Sequence, residues 1–257
     1  MKKPVVLIGV GEMGGVFARG LLRLGHAVFP LSRAMDINNA AEEITEPEAV
    51  IVAVAEKDIQ VVLKDMPNVW RDRLVLLQNE LLPRDWLQHG LENTTVISVW
   101  FEKKPGQDFK VLIPSPVYGP HAQLIADALA TLFIPTSVLT TAKELEVELL
   151  IKNVYILTTN IAGLVTGGTV SELWSQNASL ARAIATDVMS IQSVLVDHAL
   201  DDGQLIAGML TAFDGDPDHN CMGRSALARL ERALQQADEA GLAIPKLREI
   251  HTQLKTG

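Results

Sequence analysis

Over residues 1–141, short runs rich in β-branched and other apolar residues alternate with helical stretches, and from Ala142 onward the alternation stops. Such alternation closes most readily as a parallel sheet with helices on both faces, so it restricts the fold more than any other feature. Val5-Val6-Leu7-Ile8 has no polar member, as expected of a strand buried on both faces. Val16–Leu24 reads as a helix stopped by Gly25, and Ala27–Phe29 as the next strand. The pattern continues with a helix over Asp36–Ile44, a strand over Ala49–Ala55 and a helix over Asp58–Met66. Strands follow at Leu74–Leu77, Thr95–Phe101 and Val111–Ile113, then a helix over Gly119–Phe133 and a last strand over Thr136–Thr140. Beyond that, only helices are expected, over Ala142–Val165, Ser179–Leu200, Gln204–Phe213, Ser225–Ala240 and after Pro245, with a loop over Asp214–His219. The expected organisation is an α/β domain with a doubly wound parallel sheet, residues 1–141, followed by an all-α domain, residues 142–257.

Composition narrows the function. The chain has 257 residues, of which 48% are apolar and 21% charged, enough to bury a core without covalent staples. The formal net charge is −9. The first expected domain holds 13 basic against 16 acidic residues and the second 9 against 15, so neither carries a nucleic-acid footprint or a polybasic membrane patch. Cys221 is the single cysteine, which excludes an intrachain disulfide and fits a reducing cytoplasm. The apolar run after Met1-Lys2-Lys3 ends at Gly9, too short for a signal peptide, and Asn153–Ser171 is too polar for a good membrane span. A soluble protein is expected. The six histidines lack metal-ligand spacing, and Asp214, Asp216 and Asp218 lack the later glutamate of a calcium loop, so no metal site is expected.

Gly9-Val10-Gly11-Glu12-Met13-Gly14 matches G-x-G-x-x-G and sits between an expected strand and an expected helix. The first glycine permits a tight turn and the second lets the backbone approach a pyrophosphate. The third allows close helix–strand packing, while the helix N-terminus supplies amide donors. All six positions are candidate cofactor contacts, with Glu12 read as a solvated residue of the first helical turn. An acid at the end of the second strand would take the ribose hydroxyls of NAD. Here Phe29-Pro30-Leu31-Ser32-Arg33 has none, and Ser32 and Arg33 can both donate to a 2′-phosphate. NADP(H) is therefore the expected cofactor, with Arg33 as a plain surface charge the alternative.

Together with Ala18, Leu21-Leu22 and Gly25-His26-Ala27-Val28, the glycine motif resembles the phosphogluconate dehydrogenase-like superfamily. That resemblance implies a Rossmann domain followed by a helical C-terminal domain. Within it, Leu77-Gln78-Asn79 resembles the strand-ending Q-N-G of ketopantoate reductase (2-dehydropantoate 2-reductase), and Lys152 followed by Asn160 resembles that family's K-x3-N-x3-N helix. Gly223-Arg224 and Gly241-Leu-Ala-Ile-Pro245 resemble its later G-R and terminal G-I-x-x-P, and Asn220-Cys221-Met222 stands where it has a substrate segment. Glu80 replaces the glycine of Q-N-G, Ile156 the middle asparagine, and Leu227 a late glutamate. The resemblance implies an oxidoreductase in which Asn79 lies by the cofactor and Lys152 and Asn160 are catalytic.

Reduction of a 2-oxo acid needs a hydride donor, a proton donor to the developing alkoxide, and polar groups that orient the carboxylate. Lys152 is the candidate general acid, and Asn160 the candidate ligand for a small anionic carbonyl substrate. Spacing alone gives other readings. Glu148 stands four residues before Lys152, the order of an exposed helical ion pair. Asn153 points in nearly the direction of Asn160 and offers an alternative polar pair, and Asn79 is also a turn-forming residue. The alternatives to a 2-oxo acid reductase are an NADP(H)-binding regulatory protein with reduced catalysis, a β-hydroxyacid dehydrogenase and an imine reductase. The acidic helical half is the candidate surface for a homodimer.

Overall fold

Strand β1, Val5–Ile8, is buried along its whole length and pairs in parallel with β2, Val28–Leu31, on one side and β3, Ala49–Val52, on the other. The computed structural model describes residues 2–256, so Met1 and Gly257, the outer ends of the two expected domains, lie outside the described residues. The chain divides into two compact units, Met1–Leu149 and Leu150–Gly257.

In the first unit the sheet continues from β3 through β4, Leu74–Leu76, and β5, Thr95–Ile97, both parallel. A short hairpin of β6, Phe101–Lys103, and β7, Phe109–Val111, follows outside that sheet. Strand β8, Ser115–Tyr118, then pairs antiparallel with β5, and β9, Thr136–Val138, pairs parallel with β8. The order β2-β1-β3-β4-β5-β8-β9 is a doubly wound sheet with one antiparallel junction. The chain reverses direction of travel between β1 and β3, and ligands of such sheets bind at that switch point. Pro30 lies in an edge strand, where a missing N–H is tolerated.

Helix α1, Glu12–Arg23, buries Val16, Phe17, Gly20 and Leu21. Helix α5, Ala122–Ala130, packs so closely on α1 that a Cβ at Gly20 would come within 2.4 Å of Ala128 O. Between them in sequence lie three short helices: α2, Ile37–Glu43, capped by Asp36; α3, Ile59–Lys64; and α4, Arg84–Leu87. Val5, Leu7, Phe17, Ile51, Val75, Ile97 and Leu129 belong to one core between the sheet and the α1/α5 layer.

The expected single strand Thr95–Phe101 is broken in two. Ser98 N donates to Pro116 O and Trp100 N to Ser115 Oγ, so buried Trp100 marks the departure from the sheet into the hairpin. Strand β8 was not expected, because Pro114 and Pro116 flank Ser115 and read as loop.

The division between units falls inside α6, Ala142–Thr166. The second unit adds α7, Val170–Gln176; α8, Ala178–Val196; α9, Asp202–Gly215; α10, Ala226–Glu239; and α11, Pro245–Thr256. Helix α7 was not expected. It opens on a capping box in which Thr169 Oγ1 accepts from Glu172 N while the Glu172 carboxylate accepts from Thr169 N. Helix α9 extends into the expected loop as far as Gly215, which leaves the acidic turn beginning at Asp216. Helix α11 starts on Pro245, and buried Asp187 of α8 accepts from the amides of Lys246 and Leu247 at 2.7 and 3.0 Å. That carboxylate caps a helix distant in sequence. Helices α6 and α8 are long and apolar enough to cross a membrane by length and composition, and 78% of the α6 window is buried inside the protein.

Candidate functional site

The glycine loop lies at the switch point, and its three glycines serve three different ends. Gly9 has φ +96°, and a Cβ there would sit 2.6 Å from Ala53 O, just beyond β3. A Cβ on Gly14 would sit 2.3 Å from Gly9 O. Packing alone therefore demands the first and third glycines. Gly11 has nothing within 4 Å of its Cβ position, and it caps α1 in an extended conformation with no side-chain hydrogen bond. The loop thus has an open wall beside the first turn of a helix, where amides have no intrahelical acceptor and the dipole favours an anion. Such a cradle fits a pyrophosphate.

Glu12 is more than a solvated residue of that turn. Its carboxylate pairs with Lys103 Nζ at 2.9 Å, and the lysine side chain is largely buried. Lys103 comes from β6, which folds over α1. Between Val10, Gly11, Gly15, Arg19 and Lys103 lies a cavity of about 250 Å³. Arg19 stacks 5.3 Å from the centre of the Phe109 ring on β7. The sequence did not single out Arg19 or Lys103. Arg19 lies two turns after Gly11 on the same flank of α1, which is a readable signal, whereas nothing local marks Lys103.

Ser32 and Arg33 follow β2 directly and are exposed. Arg33 Nη2 contacts Asp58 Oδ2 at 2.7 Å. The carboxylate missing from β2 is thus supplied by the turn after β3. An exposed pair of this kind contributes about 0–1 kcal/mol, so a ligand phosphate can take its place. Past β4, buried Gln78 donates to Val52 O at 2.6 Å and accepts from Leu77 N, which ties the ends of β3 and β4 together. Asn79 Nδ2 donates to Glu56 Oε1 at 3.1 Å. The left-handed residue of this turn is Glu80, φ +65°, at the position where the resembling motif has glycine.

In the helical unit, Lys152 is buried at 9% exposure, with Nζ 5.6 Å from the centre of the Tyr155 ring. The exposed ion pair with Glu148 that spacing offers is therefore not its setting. Burial, and second the charge of Arg229, pull the ammonium down from 10.5 to about 7. The Glu148 carboxyl is pushed up by its own burial.

Asn160, also buried, accepts at Oδ1 from Arg229 Nη1 of α10 at 2.8 Å. Asn153 is buried too, but its Nδ2 donates to Gln192 Oε1 of α8 at 3.0 Å. The two asparagines, offered by the sequence as one polar pair, thus face different helices. The segment after Asn220 lies against α6, since a Cβ on Gly163 would meet Met222 N at 2.7 Å and one on Gly223 would meet Asn160 Oδ1 at 3.1 Å. Arg224 and Leu227 are exposed, and it is Arg229 that reaches the cluster. Arg229 was missed although its signal is local. It occupies the buried stripe Ala226, Arg229, Leu230, Ala233, Leu234, Ala237, where an arginine is out of place. Burial, and second the charge of Glu172, raise the Cys221 thiol to about 11, which disfavours the thiolate.

No protein-family model and no curated protein matches this sequence. Solved structures do match over nearly the whole chain. A 2-dehydropantoate 2-reductase from Methylococcus capsulatus superposes with a TM-score of 0.70 at 15% identity, covering 98% of this chain and 96% of that one. A ketopantoate reductase from Ralstonia eutropha gives 0.68 at 16%, covering 100% and 98%. A D-mandelate dehydrogenase in complex with NADH gives 0.68 at 15%, covering 98% and 97%. The chain shares the fold of these proteins.

Proposed function

We propose that this protein is an NADP(H)-dependent reductase of a small 2-oxo acid or related carbonyl compound. The observation that carries the proposal is a lysine, Lys152, buried on the same helix as Asn160 and under the charge of Arg229, which holds Asn160, in a chain that also has a pyrophosphate cradle. A bound NADPH supplies the hydride. The chain's own residues supply the rest. Lys152 stabilises the negative charge that develops on the carbonyl oxygen and gives it a proton, becoming a neutral amine. The Asn160 amide orients the substrate's oxygens. In the first unit Gly9 and Gly14 shape the cradle, Gly11 leaves it open, and the amides of Glu12, Met13 and Gly14 hold the pyrophosphate. The named neighbours are reductases and a dehydrogenase, and one was solved with NADH. Preference for NADPH therefore rests on Ser32 and Arg33, and Asn79 is assigned to the nicotinamide end.

The test is NADPH oxidation with a panel of small 2-oxo acids. Turnover is expected, and Lys152→Ala should lower it by roughly 10²–10⁴-fold, the contribution of a positioned proton donor. Full activity in that variant would remove Lys152 as the acid. Ile156, and Leu227 held at the surface, favour a second reading, an NADP(H)-binding protein without turnover. Tight cofactor binding with no substrate consumed would select it.

A further inference from the structure

Building on that function, we infer that Arg229 is a positioning residue that turns the polar cluster of the helical unit into a donors-only site, selecting an anionic carbonyl substrate over an imine. A guanidinium has no acceptor atom. The Asn160 atom 2.8 Å from Arg229 Nη1 must therefore be the amide oxygen, and the contact fixes which way the amide faces. With Oδ1 engaged, the group Asn160 can offer a ligand is Nδ2–H. Its contact with Thr159 Oγ1 is long, 3.5 Å, and that hydroxyl donates to Tyr155 O at 2.8 Å. Lys152, as the ammonium, is likewise a donor.

Gly223 shows how closely the contact is packed. A Cβ there would lie 3.1 Å from Asn160 Oδ1 and 3.9 Å from Arg229 Nη1, so a side chain would press on the pair. A carboxylate with an adjacent carbonyl presents only acceptors and negative charge, the complement of such a site. An iminium presents an N–H and a positive charge, and meets donors and two buried cationic side chains.

Arg229 also acts on Lys152 by charge. The charge acting on this lysine is that of Arg229 from α10; the Tyr155 ring lies against its Nζ, and His219, itself 3.4 Å from buried Asp216, has its ring 6.3 Å from that of Tyr155. Arg229 disfavours the ammonium, so removing its charge should raise the pH at which Lys152 loses its proton.

Orientation and charge separate with three variants. Arg229→Gln loses the charge and can still donate to Asn160, but it can also accept, so it holds the amide less strictly. Arg229→Lys keeps the charge and shortens the reach. Arg229→Met loses both. The experiment measures kcat/KM against pH for 2-oxobutyrate and for a cyclic imine of similar size, on folded protein verified by thermal melting. The wild type should prefer the oxo acid by roughly 10²-fold or more. Arg229→Met should lose about tenfold or more of that preference and raise KM for the oxo acid. Its upper pH limb should move to higher pH, as should that of Arg229→Gln, whereas Arg229→Lys should keep the wild-type limb. Arg229→Gln should retain more of the affinity than Arg229→Met. A pH limb and substrate ratio unchanged in Arg229→Met would overturn the inference, leaving Arg229 a structural residue.

Titration calorimetry with oxalate is independent of turnover. Oxalate binding that is lost in Arg229→Met and at least partly kept in Arg229→Gln supports the donors-only site even where no substrate is reduced, a result that would count against the reductase function alone. A wild type that binds no oxalate, with or without NADPH, overturns it.

Discussion

Replacing Lys152 by methionine tests whether this lysine is buried or solvated, and it does so without a substrate. The native state releases the Lys152 proton near pH 7, whereas the unfolded chain holds it to the ordinary 10.5. Between those values the unfolded state binds more protons, so stability rises with pH. Below the lower value the fold carries a buried ammonium and is at its least stable with respect to this group. Each unit of pKa difference is worth about 1.4 kcal/mol, and the linkage relation gives a rise of about 2–3 kcal/mol between about pH 6.5 and pH 9. Lys152→Met fills a similar volume and has nothing to titrate. Other groups titrate in the same range, but they do so in both proteins and cancel in the difference. The assay is urea unfolding of both proteins at the two pH values. The variant should be the more stable at the lower pH, and its advantage should shrink by about 2–3 kcal/mol at the higher. A difference between the two proteins that does not change with pH would mean that Lys152 keeps its ordinary pKa. It would then be a surface charge, and its assignment as the acid would fail.

The glycine loop separates packing from binding. Gly9→Ala and Gly14→Ala, with Cβ contacts of 2.6 and 2.3 Å to backbone, should each destabilise the protein by more than about 1 kcal/mol in a thermal melt. Gly11→Ala, with open space at its Cβ, should leave the melting temperature nearly unchanged while raising the Kd for NADPH, measured by fluorescence titration. Arg33→Ala should leave stability within about 0.5 kcal/mol and weaken NADPH more than NADH, and Asp58→Asn, which frees the guanidinium, should strengthen NADPH. Equal loss for the two cofactors would remove Arg33 as the discriminator. Asn153→Ala should cost about 1–3 kcal/mol by leaving Gln192 unsatisfied, yet shift neither KM nor the pH profile.

The parts of the fold that were legible in the sequence were those set by local pattern. The apolar run Val5–Ile8 and the glycine spacing after it need only the physics of one strand and one turn, and both stand as expected. Strand β8 hid behind Pro114 and Pro116. Its backbone groups are satisfied by particular partners, Ser98 N on Pro116 O and Pro135 O for Ser115 N, that no local rule foretells. Helix α7 has a local signal. Gly167 and Gly168, both with positive φ, separate α6 from it, and Thr169 and Glu172 spell a capping box immediately after them.

The site shows where such reading runs out. Pairing Lys152 with Glu148 treats α6 as an isolated surface helix, but Leu149, Leu150, Ile151, Val154, Tyr155 and Leu157 are buried around it. A helix apolar on every side lies in a core, and a lysine there is desolvated whatever stands four residues before it. Burial was thus recoverable from the sequence, whereas partnership was not. Asn153 and Asn160 are seven residues apart and point almost the same way, about 10 Å apart along the axis. At one height the neighbour is α8, which brings Gln192, and at the other it is α10, which brings Arg229. An asparagine facing a glutamine meets a group that can both donate and accept, so neither amide is fixed by the pairing alone. Facing an arginine, it has one permitted orientation. The same residue type on the same helix face therefore meets a neutral amide in one turn and a cation two turns later, and the helix that crosses at that height makes the difference.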